Sequence, residues 1–354
     1  MTPQLVLVIG SGQAGLAAGY HLRRAGLPFL IVDAHPRIGD SWRKRYESLT
    51  LFTPRQFSAL PGLPLAGNRE QYPGRDEFAG YLETYAAHFS LPVRSGARVA
   101  RLTQADGAFL AETDPCEKIQ ASDVIIATGG FQTPVVPSVS AGFGAEVLQL
   151  TPQSYHSAAV LPEGPVLVVG DGASGRDIAL ECQAVRPTML SRGKPRKLFP
   201  ERLLGKSIWW WLRLLGVLEA SPESYIGRKV RAADAFPDRG QGDKWLAQAG
   251  IRLVPRLVAA SGTTATFSDR TSASVRTVVW ATGYRDETAW VDVPSAVGKD
   301  GAFAHRNGVS AVPGLYFVGR PWQTNRASAL VMGAGSDAER IVREIVRRKS
   351  REGI

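Results

Sequence analysis

A chain of 354 residues, of which 44% are hydrophobic, is long enough for two globular domains with separate cores. The formal charge of +10 would suit a nucleic-acid partner, but anionic cofactors explain an excess of basic residues equally well. The densest basic run, 340–351, is typical of a solvated helix face. We therefore expect no nucleic-acid partner. No stretch approaches the ~18 apolar residues of a membrane-spanning helix. The N-terminus does not have the pattern of a secretion signal, and Cys116 and Cys182 are too far apart in sequence to form a C-x-x-C redox dithiol. We therefore expect a cytoplasmic protein without a transmembrane segment.

The chain begins with the pattern of a dinucleotide-binding unit. A strand is predicted over 5–9, a glycine-rich loop over 10–15 (Gly10-Ser11-Gly12-Gln13-Ala14-Gly15), a helix over 14–25 and a second strand over 29–32 that ends at Asp33. In such a loop Gly10 permits the tight turn, Gly12 lets the backbone approach a pyrophosphate, and Gly15 lets the helix pack on the strand. The helix N-terminus would stabilise the phosphate charge, and Asp33 would accept hydrogen bonds from ribose hydroxyls.

The same pattern recurs in the middle of the chain. A strand over 166–169 precedes the loop Gly170-Asp171-Gly172-Ala173-Ser174-Gly175, a helix over 176–185 and a strand over 188–190. That last strand ends in Ser191-Arg192 and not in an acid. Because a carboxylate would repel a 2′-phosphate whereas an arginine pairs with it, this unit favours NADPH over NADH. Lys194, Arg196 and Lys197 add positive charge nearby.

Two short strands end in Ala-Thr-Gly, at 127–129 and at 281–283, and small residues there let the chain pass close to a bound dinucleotide. A returning strand, 314–319, and a helix from about 327 to 347 follow the second unit. The predicted class is therefore α/β, with two Rossmann-like domains. Two such loops in one chain imply two dinucleotides, which points to a flavin and a nicotinamide cofactor in one enzyme. The second domain, over 160–280, would bind NADPH and would be inserted into a discontinuous FAD-binding domain formed by 1–150 and 281–354.

Several longer motifs, in this order along the chain, resemble those of the class B flavin-dependent monooxygenases, in particular the short bacterial and YUCCA-like members. They are GDSWR at 39–43, YESLTLFTPRQFSALP at 46–61, the loop at 170–175, FPERLLGKSI at 199–208 and GLYFVG at 314–319. The resemblance implies a tightly bound FAD and a dissociable NADPH, which reduces the flavin. Oxygen would then add to give a C4a-(hydro)peroxyflavin, which places one oxygen atom from O2 on a small organic substrate.

The resemblance also assigns site residues. Trp42, Thr53 and Pro54 would lie beside the flavin ring and are the candidate catalytic residues. Besides Trp42, the FAD-binding residues would be Gly10, Gly12, Gln13, Ala14, Gly15, Asp33, Arg43, Ala127, Thr128, Gly129, Gly319, Ser328, Ala329 and Leu330, with Arg320-Pro321 near the pyrophosphate. The NADPH-binding residues would be Gly170, Gly172, Ala173, Ser174, Gly175, Ser191, Arg192, Ala281, Thr282 and Gly283. No metal site is expected.

Departures from the family pattern leave alternatives open. The asparagine that the family often places beside the flavin is absent from 51–54, so an NADPH oxidase or flavoprotein reductase that inserts no oxygen is one alternative, and a nucleotide-binding sensor without turnover is another. His156 is either a hinge or an ordinary linker residue. Three tryptophans follow one another at 209–211, and three interpretations are open: they line an apolar pocket, they touch a membrane surface, or they pack in a helix over the second domain. Packing is favoured, because three successive side chains cannot share one face of a helix. The substrate pocket is either open or shared across a homodimer.

Overall fold

The computed structural model describes residues 4–114, 116–194, 196, 198–233 and 236–352. Its helices are α1 (Gln13–Arg24), α2 (Asp40–Arg43), α3 (Arg75–His88), α4 (Ala173–Gln183), α5 (Ile208–Leu214), α6 (Tyr225–Ala233), α7 (Asp243–Gln248) and α8 (Val331–Glu352). The strands are β1 (Val6–Ile9), β2 (Phe29–Val32), β3 (Val93–Arg94), β4 (Arg98–Ala105), β5 (Ala108–Asp114), β6 (Glu117–Ala121), β7 (Asp123–Ile126), β8 (Thr133–Pro134), β9 (Leu148–Leu150), β10 (Val166–Val169), β11 (Thr188–Ser191), β12 (Leu198–Pro200), β13 (Arg202–Leu203), β14 (Lys206–Ser207), β15 (Phe236–Asp238), β16 (Arg252–Val254), β17 (Leu257–Ser261), β18 (Thr264–Phe267), β19 (Ser272–Ser274), β20 (Thr277–Trp280), β21 (Tyr284–Arg285), β22 (Val291–Asp292) and β23 (Leu315–Phe317).

Two parallel five-stranded sheets form the cores of two units, which confirms the predicted α/β class. The first sheet has the order β23-β7-β1-β2-β3 and the second the order β16-β11-β10-β20-β9. In both, the central strand is followed by a glycine-rich loop and a helix. All four residues of β1 and of β10 are buried, because helices or antiparallel strands cover both faces of each sheet.

Smaller sheets and α8 complete the first unit. The sheet β22-β4-β5-β6 covers one face of the first parallel sheet through an apolar cluster that includes Leu102, Phe109 and Phe317. On the other face α8 packs against α1. The helix α8 begins at Val331, later than the predicted 327, because Asn325 caps a separate 3₁₀ turn over Arg326–Ala329. Among the described residues, no helix combines the length and the apolar character needed to cross a bilayer.

The chain crosses between the units twice, and the two crossings pair with each other as the antiparallel strands β8 and β21. After the first crossing, β9 joins the second sheet beside β20, and Phe143 and Val147 pack in the core of the second unit near Trp280. Residues 148–150, which the sequence places in the first domain, are thus an edge strand of the second sheet. The exact domain limits stay a prediction, and the strand pairing favours a limit near 134.

Candidate active site

A cleft of about 1350 Å³ lies between the two units. Its walls are formed by residues that directly follow strands of both parallel sheets: the turns after β1, β2 and β7 in the first unit and those after β10, β11 and β20 in the second. The carboxyl ends of parallel strands are where α/β folds bind ligands. The cleft is larger than the ~300–1,000 Å³ usual for one drug-sized ligand, so there is room for more than one.

Most of the predicted catalytic and cofactor-binding residues line this one cleft. In the first unit they are Gly10, Gly12, Gln13, Ala14, Asp33, Trp42, Thr53, Ala127, Thr128, Gly129, Gly319 and Leu330. In the second unit they are Gly170, Gly172, Ala173, Ser174, Gly175, Ala281, Thr282 and Gly283. Their assignment to FAD or to NADPH stays a prediction.

The three glycines of the first loop meet different steric demands. Gly10 has φ +109°, and a Cβ there would come within 2.7 Å of the Ala127 carbonyl oxygen. A Cβ on Gly15 would lie 1.8 Å from the Gly10 carbonyl oxygen, so the helix could not approach the loop. A Cβ on Gly12 would meet no atom within 4 Å, because that side of the glycine faces the open cleft. Gly10 and Gly15 therefore shape the loop, and Gly12 leaves room for a ligand.

The second loop repeats this geometry. Gly170 has φ +107° and sits against the Ala281 carbonyl oxygen, which a Cβ would approach to 2.3 Å. A Cβ on Gly175 would again lie 1.8 Å from the carbonyl oxygen of the first loop glycine, whereas one on Gly172 would meet nothing within 4 Å. The space beside Gly12 and the space beside Gly172 are thus equivalent cradles, which a Cβ would partly fill. Both fit the pyrophosphate of a dinucleotide.

The two loops end in helix N-termini that no side chain caps. Gly12 is the N-cap of α1 and Gly172 that of α4; neither helix has an acidic residue in its first turn. The first amides of each helix therefore remain available to an anion, and the helix dipole favours negative charge there. This arrangement is the usual phosphate site of dinucleotide-binding folds.

Asp33 is held in place at the end of β2. Its Oδ2 accepts hydrogen bonds from the Ser11 amide at 2.6 Å and the Ser11 hydroxyl at 2.9 Å, and its Oδ1 accepts one from the His35 amide at 2.8 Å. Burial by itself would raise the pKa of Asp33, but these bonds and the contact with the His35 ring outweigh burial and lower it. Asp33 is therefore ionised at neutral pH and is oriented at the edge of the cleft.

Trp42 and Thr53 form part of the wall on the side of the first loop. The Trp42 indole N–H donates to Gln13 Oε1 at 3.3 Å, and its ring packs edge-on against Phe78. Thr53 is buried, and its hydroxyl lies 2.6 Å from that of Ser58. Pro54, the third candidate catalytic residue, does not line the cleft and precedes a short 3₁₀ turn.

The basic side chains that line the cleft near the second loop do not include Arg192, the residue predicted to bind the 2′-phosphate. Arg192 does not line the cleft; its guanidinium is paired with Asp243 of α7. The neighbouring Ser191 is buried, donating to the Pro255 carbonyl oxygen at 2.9 Å. Lys194, Arg196 and Arg256 line the cleft instead. Lys197 lies outside the described residues.

Three other predicted contacts are directed elsewhere. Arg43 bonds the Ile38 carbonyl oxygen and pairs with two carboxylates, one of which is Glu83 at 2.8 Å, so the geometry does not support a place beside the flavin. Arg320 is buried and pairs with Asp286 while donating to the Gly129 carbonyl oxygen at 2.7 Å. It therefore fixes the turn after β7 from behind. Ser328 accepts hydrogen bonds from two amides of its own turn. The side chain of Ala329 lies outside the described part of the chain.

Sequence reasoning missed several residues of the cleft. Arg256 follows β16, the strand beside β11, so the rule that ligands bind at carboxyl ends could have identified it. Arg45 also lines the cleft, stacked against Phe131 and Tyr284 and donating to the Tyr284 hydroxyl at 2.7 Å. No local pattern in the sequence brings those three residues together.

The two cysteines and the possible metal ligands can be located relative to the cleft. Cys182 is buried in the second unit, where desolvation raises the pKa of its thiol to about 11, and Cys116 is exposed; neither lines the cleft. Within the described ranges, no three His, Cys, Asp or Glu side chains are grouped closely enough to hold a metal ion. His156 lies in the linker and is exposed, and its carbonyl oxygen accepts a hydrogen bond from the Glu47 amide at 2.9 Å.

Comparison with known proteins gives the same fold and a family. Residues 7–202 match the family described as pyridine nucleotide-disulphide oxidoreductase. A relative described as an uncharacterized oxidoreductase, CzcO-like, from Geobacillus kaustophilus is 42% identical over 342 residues, covering 96% of this chain and 98% of the relative. Indole-3-pyruvate monooxygenase YUCCA1 of Oryza sativa is 28% identical, covering 96% and 90%.

Among solved structures, a flavin-containing monooxygenase from Stenotrophomonas maltophilia superposes with a TM-score of 0.80 at 27% identity, covering 98% of this chain and 99% of that one. The match to the oxidoreductase family spans more than half of the chain, and the monooxygenase relatives span nearly all of it. The chain therefore belongs to the pyridine nucleotide-disulphide oxidoreductase family, as an oxidoreductase of the class B flavin monooxygenase group.

Proposed function

We propose that this protein is an FAD- and NADPH-dependent monooxygenase that transfers one oxygen atom from O2 to a small organic substrate. The observation that carries the proposal is that two phosphate loops of the same geometry, one from each parallel sheet, open into a single cleft. Two dinucleotides bound there would bring their redox-active rings together. The relatives named as monooxygenases support the oxygen-inserting reaction.

In this proposal the first unit holds FAD. The space at Gly12 and the amides of α1 bind its pyrophosphate, and the ionised Asp33 accepts from its ribose. The turns at 127–129 and at Gly319 pass beside the same ligand. The bound flavin supplies the electrons that activate O2.

The second unit would hold NADPH. The space at Gly172 and the amides of α4 bind its pyrophosphate. Lys194, Arg196 and Arg256 supply the positive charge that a 2′-phosphate requires, in place of Arg192. On the wall of the cleft that the first unit forms, Trp42 and Phe52 contribute apolar surface that limits water near the reacting rings.

One observation favours a second candidate, an NADPH oxidase that releases reduced oxygen without inserting it. The Ser58 hydroxyl lies 2.8 Å from the Thr53 carbonyl oxygen, which can only accept, so Ser58 donates there and Thr53 donates in turn to Ser58. The Thr53 hydroxyl proton is thereby directed away from the cleft. No asparagine occurs over 51–54, so this segment supplies no side-chain amide to stabilise activated oxygen.

Rapid mixing distinguishes the candidates. The purified yellow protein is reduced with NADPH under anaerobic conditions and is then mixed with oxygenated buffer while the flavin spectrum is recorded. A transient spectrum that is neither reduced nor oxidised flavin, with less than stoichiometric peroxide when substrate is present, is the expected result. Direct return to oxidised flavin with one peroxide per NADPH, with every substrate tried, would favour the oxidase. If NADPH does not bleach the flavin, a nucleotide sensor without turnover would replace both.

A further inference from the structure

We infer that a surface formed by the β13–β14 hairpin and the end of α5 docks on an anionic lipid surface. This hairpin–helix patch consists of Leu203, Leu204, Trp211, Leu214 and Leu215. The four leucines are exposed, Leu204 to 82% and Leu215 to 69%. Large apolar side chains that protrude together from a folded protein mark a surface that meets an apolar partner.

Hydrogen bonding and helix geometry bring the parts of the patch together. The Trp211 indole N–H donates to the Leu203 carbonyl oxygen at 2.9 Å, so the helix lies against the hairpin. Leu214 and Leu215 follow Trp211 by three and four positions and therefore share its side of the helix. Trp211 thus has one polar atom bonded and an apolar ring at the surface, as is common at membrane–water interfaces.

The backbone at the hairpin tip indicates a function outside the monomer. The two tip residues, Leu204 and Gly205, have φ values of +50° and +74°, as in a type I′ turn. Asn and Gly adopt this conformation at least cost, and a leucine adopts it rarely. The left-handed conformation of Leu204 therefore costs conformational free energy, and at 82% exposure its side chain is hardly buried within the folded chain. An apolar surface into which it inserts would supply that burial.

The charges around the patch favour anionic lipid over a second copy of the chain. Lys206 and Arg213 are exposed beside the leucines, and neither has an ion-pair partner among the residues that the structure describes. Between 202 and 231 the sequence contains six Arg or Lys and two Glu. Cations that flank protruding apolar residues match lipid phosphates above an acyl layer. Two copies meeting through this face would bring the same cations together and would repel each other.

The patch lies close to the cleft. The Trp209 indole, buried at the start of α5, donates to the carbonyl oxygen of Phe52, a cleft residue, at 3.0 Å. The helix from Ile208 to Leu214 is about 10 Å long, so docking would place the cleft wall near the lipid. If the proposed function holds, apolar substrates dissolved in the membrane would be delivered to the oxidising site. The docking itself does not depend on that reaction.

Vesicle flotation with the purified flavin-containing protein tests the inference. Vesicles of phosphatidylcholine alone are compared with vesicles that also contain phosphatidylglycerol, over a series of salt concentrations. The expected result is binding to the anionic vesicles that falls as salt rises. Replacing either Lys206 or Arg213 by Gln should weaken binding about fivefold each. The matched control Lys299→Gln, at an exposed lysine elsewhere, should leave it unchanged.

Leu204→Asn separates docking from a structural role. Asn suits the turn better than Leu, so the variant should keep or raise the melting temperature while its vesicle binding falls. Val258→Asn, at a valine 51% exposed on β17, is the control that should keep binding. The inference is overturned if the wild type binds no vesicle, if Leu204→Asn binds as well as wild type, or if the variant abolishes only self-association. NADPH oxidation in solution, measured in parallel, reports on the proposed function independently.

Discussion

The Tyr46 hydroxyl of the first unit donates a 3.1 Å hydrogen bond to Asp177 Oδ2 on α4 of the second unit. Both residues line the cleft. Arg239 extends the contact, because it lies 3.7 Å from Asp177 Oδ1 and donates to the Leu51 carbonyl oxygen at 3.0 Å. Burial raises the pKa of Tyr46 well above 10, so the phenol remains a donor at neutral pH. The wall beside the first loop is thus tied to the helix that follows the second loop.

Tyr46→Phe should weaken this tie between the units. The change leaves the partly buried Asp177 carboxylate, whose side chain is 14% exposed, with one donor fewer, which should cost about 1–3 kcal/mol of unfolding free energy. We expect flavin content to be retained and flavin reduction by NADPH to slow, since the two loops are no longer held in one geometry. Anaerobic stopped-flow and thermal unfolding measure the two effects. A lower melting temperature with an unchanged rate of flavin reduction would mean that Tyr46 has a structural role alone. The control is Tyr225→Phe, at an exposed tyrosine, which should change neither quantity.

Arg256→Ala should impair NADPH binding much more than NADH binding. A charge-assisted bond to a phosphate is worth about 1.5–3 kcal/mol, so KM for NADPH should rise roughly 10- to 100-fold while KM for NADH changes little. Arg192→Ala provides the comparison, because Arg192 is half-exposed and paired with Asp243, away from the cleft. Its effect should be within about fivefold, as for a surface ion pair. If Arg192→Ala raises KM for NADPH more than Arg256→Ala does, Arg192 and not Arg256 binds the 2′-phosphate.

The glycine loops could be predicted from sequence because their requirements are local. Strand, loop, helix and the following strand are consecutive in the chain, and Gly15 is required by the carbonyl oxygen of Gly10 in the same loop. The contact of Gly10 with Ala127 is distant in sequence, but the positive φ of Gly10 already favours glycine. The fold class follows once the pattern occurs twice. The wall segment 46–61 could be identified only through its resemblance to a family.

The direction of long charged side chains could not be predicted in this way. Arg192 follows β11 as expected, but Asp243, which pairs with it, comes from a helix about fifty positions later. Arg43 is diverted by Glu83 of α3 in the same manner. The sequence pattern places 148–150 within the first domain, whereas β9 pairs with β20 of the second sheet; no local pattern predicts this pairing, because it joins segments far apart in the sequence.

Asp33→Asn should lower stability in a way that depends on pH. The pKa of Asp33 is lower in the folded protein than in the unfolded chain, so its charge contributes stability that is fully present above the unfolded pKa of about 4 and is lost as pH falls through the folded pKa. The variant should therefore be less stable than wild type by roughly 1–3 kcal/mol at neutral pH, and the difference should shrink below pH ~4. Melting temperatures from pH 3 to 8 measure this. Asp114→Asn, at an exposed carboxylate at the end of β5, should show little change; an equal loss at every pH for Asp33→Asn would contradict the linkage.

Alanine substitutions within one loop should separate ligand binding from folding. Gly12→Ala places its methyl group in open cleft, so we expect a folded protein that has lost affinity for FAD. Gly15→Ala places the methyl group 1.8 Å from a backbone oxygen, so the loop and helix must move apart and the yield of folded protein should fall. Gly172→Ala and Gly175→Ala form the equivalent pair in the second unit, where the first should raise KM for NADPH while flavin content is kept. Flavin content, melting temperature and NADPH titration measure the four outcomes. A Gly12→Ala protein that keeps full flavin would show that the cradle does not hold the pyrophosphate.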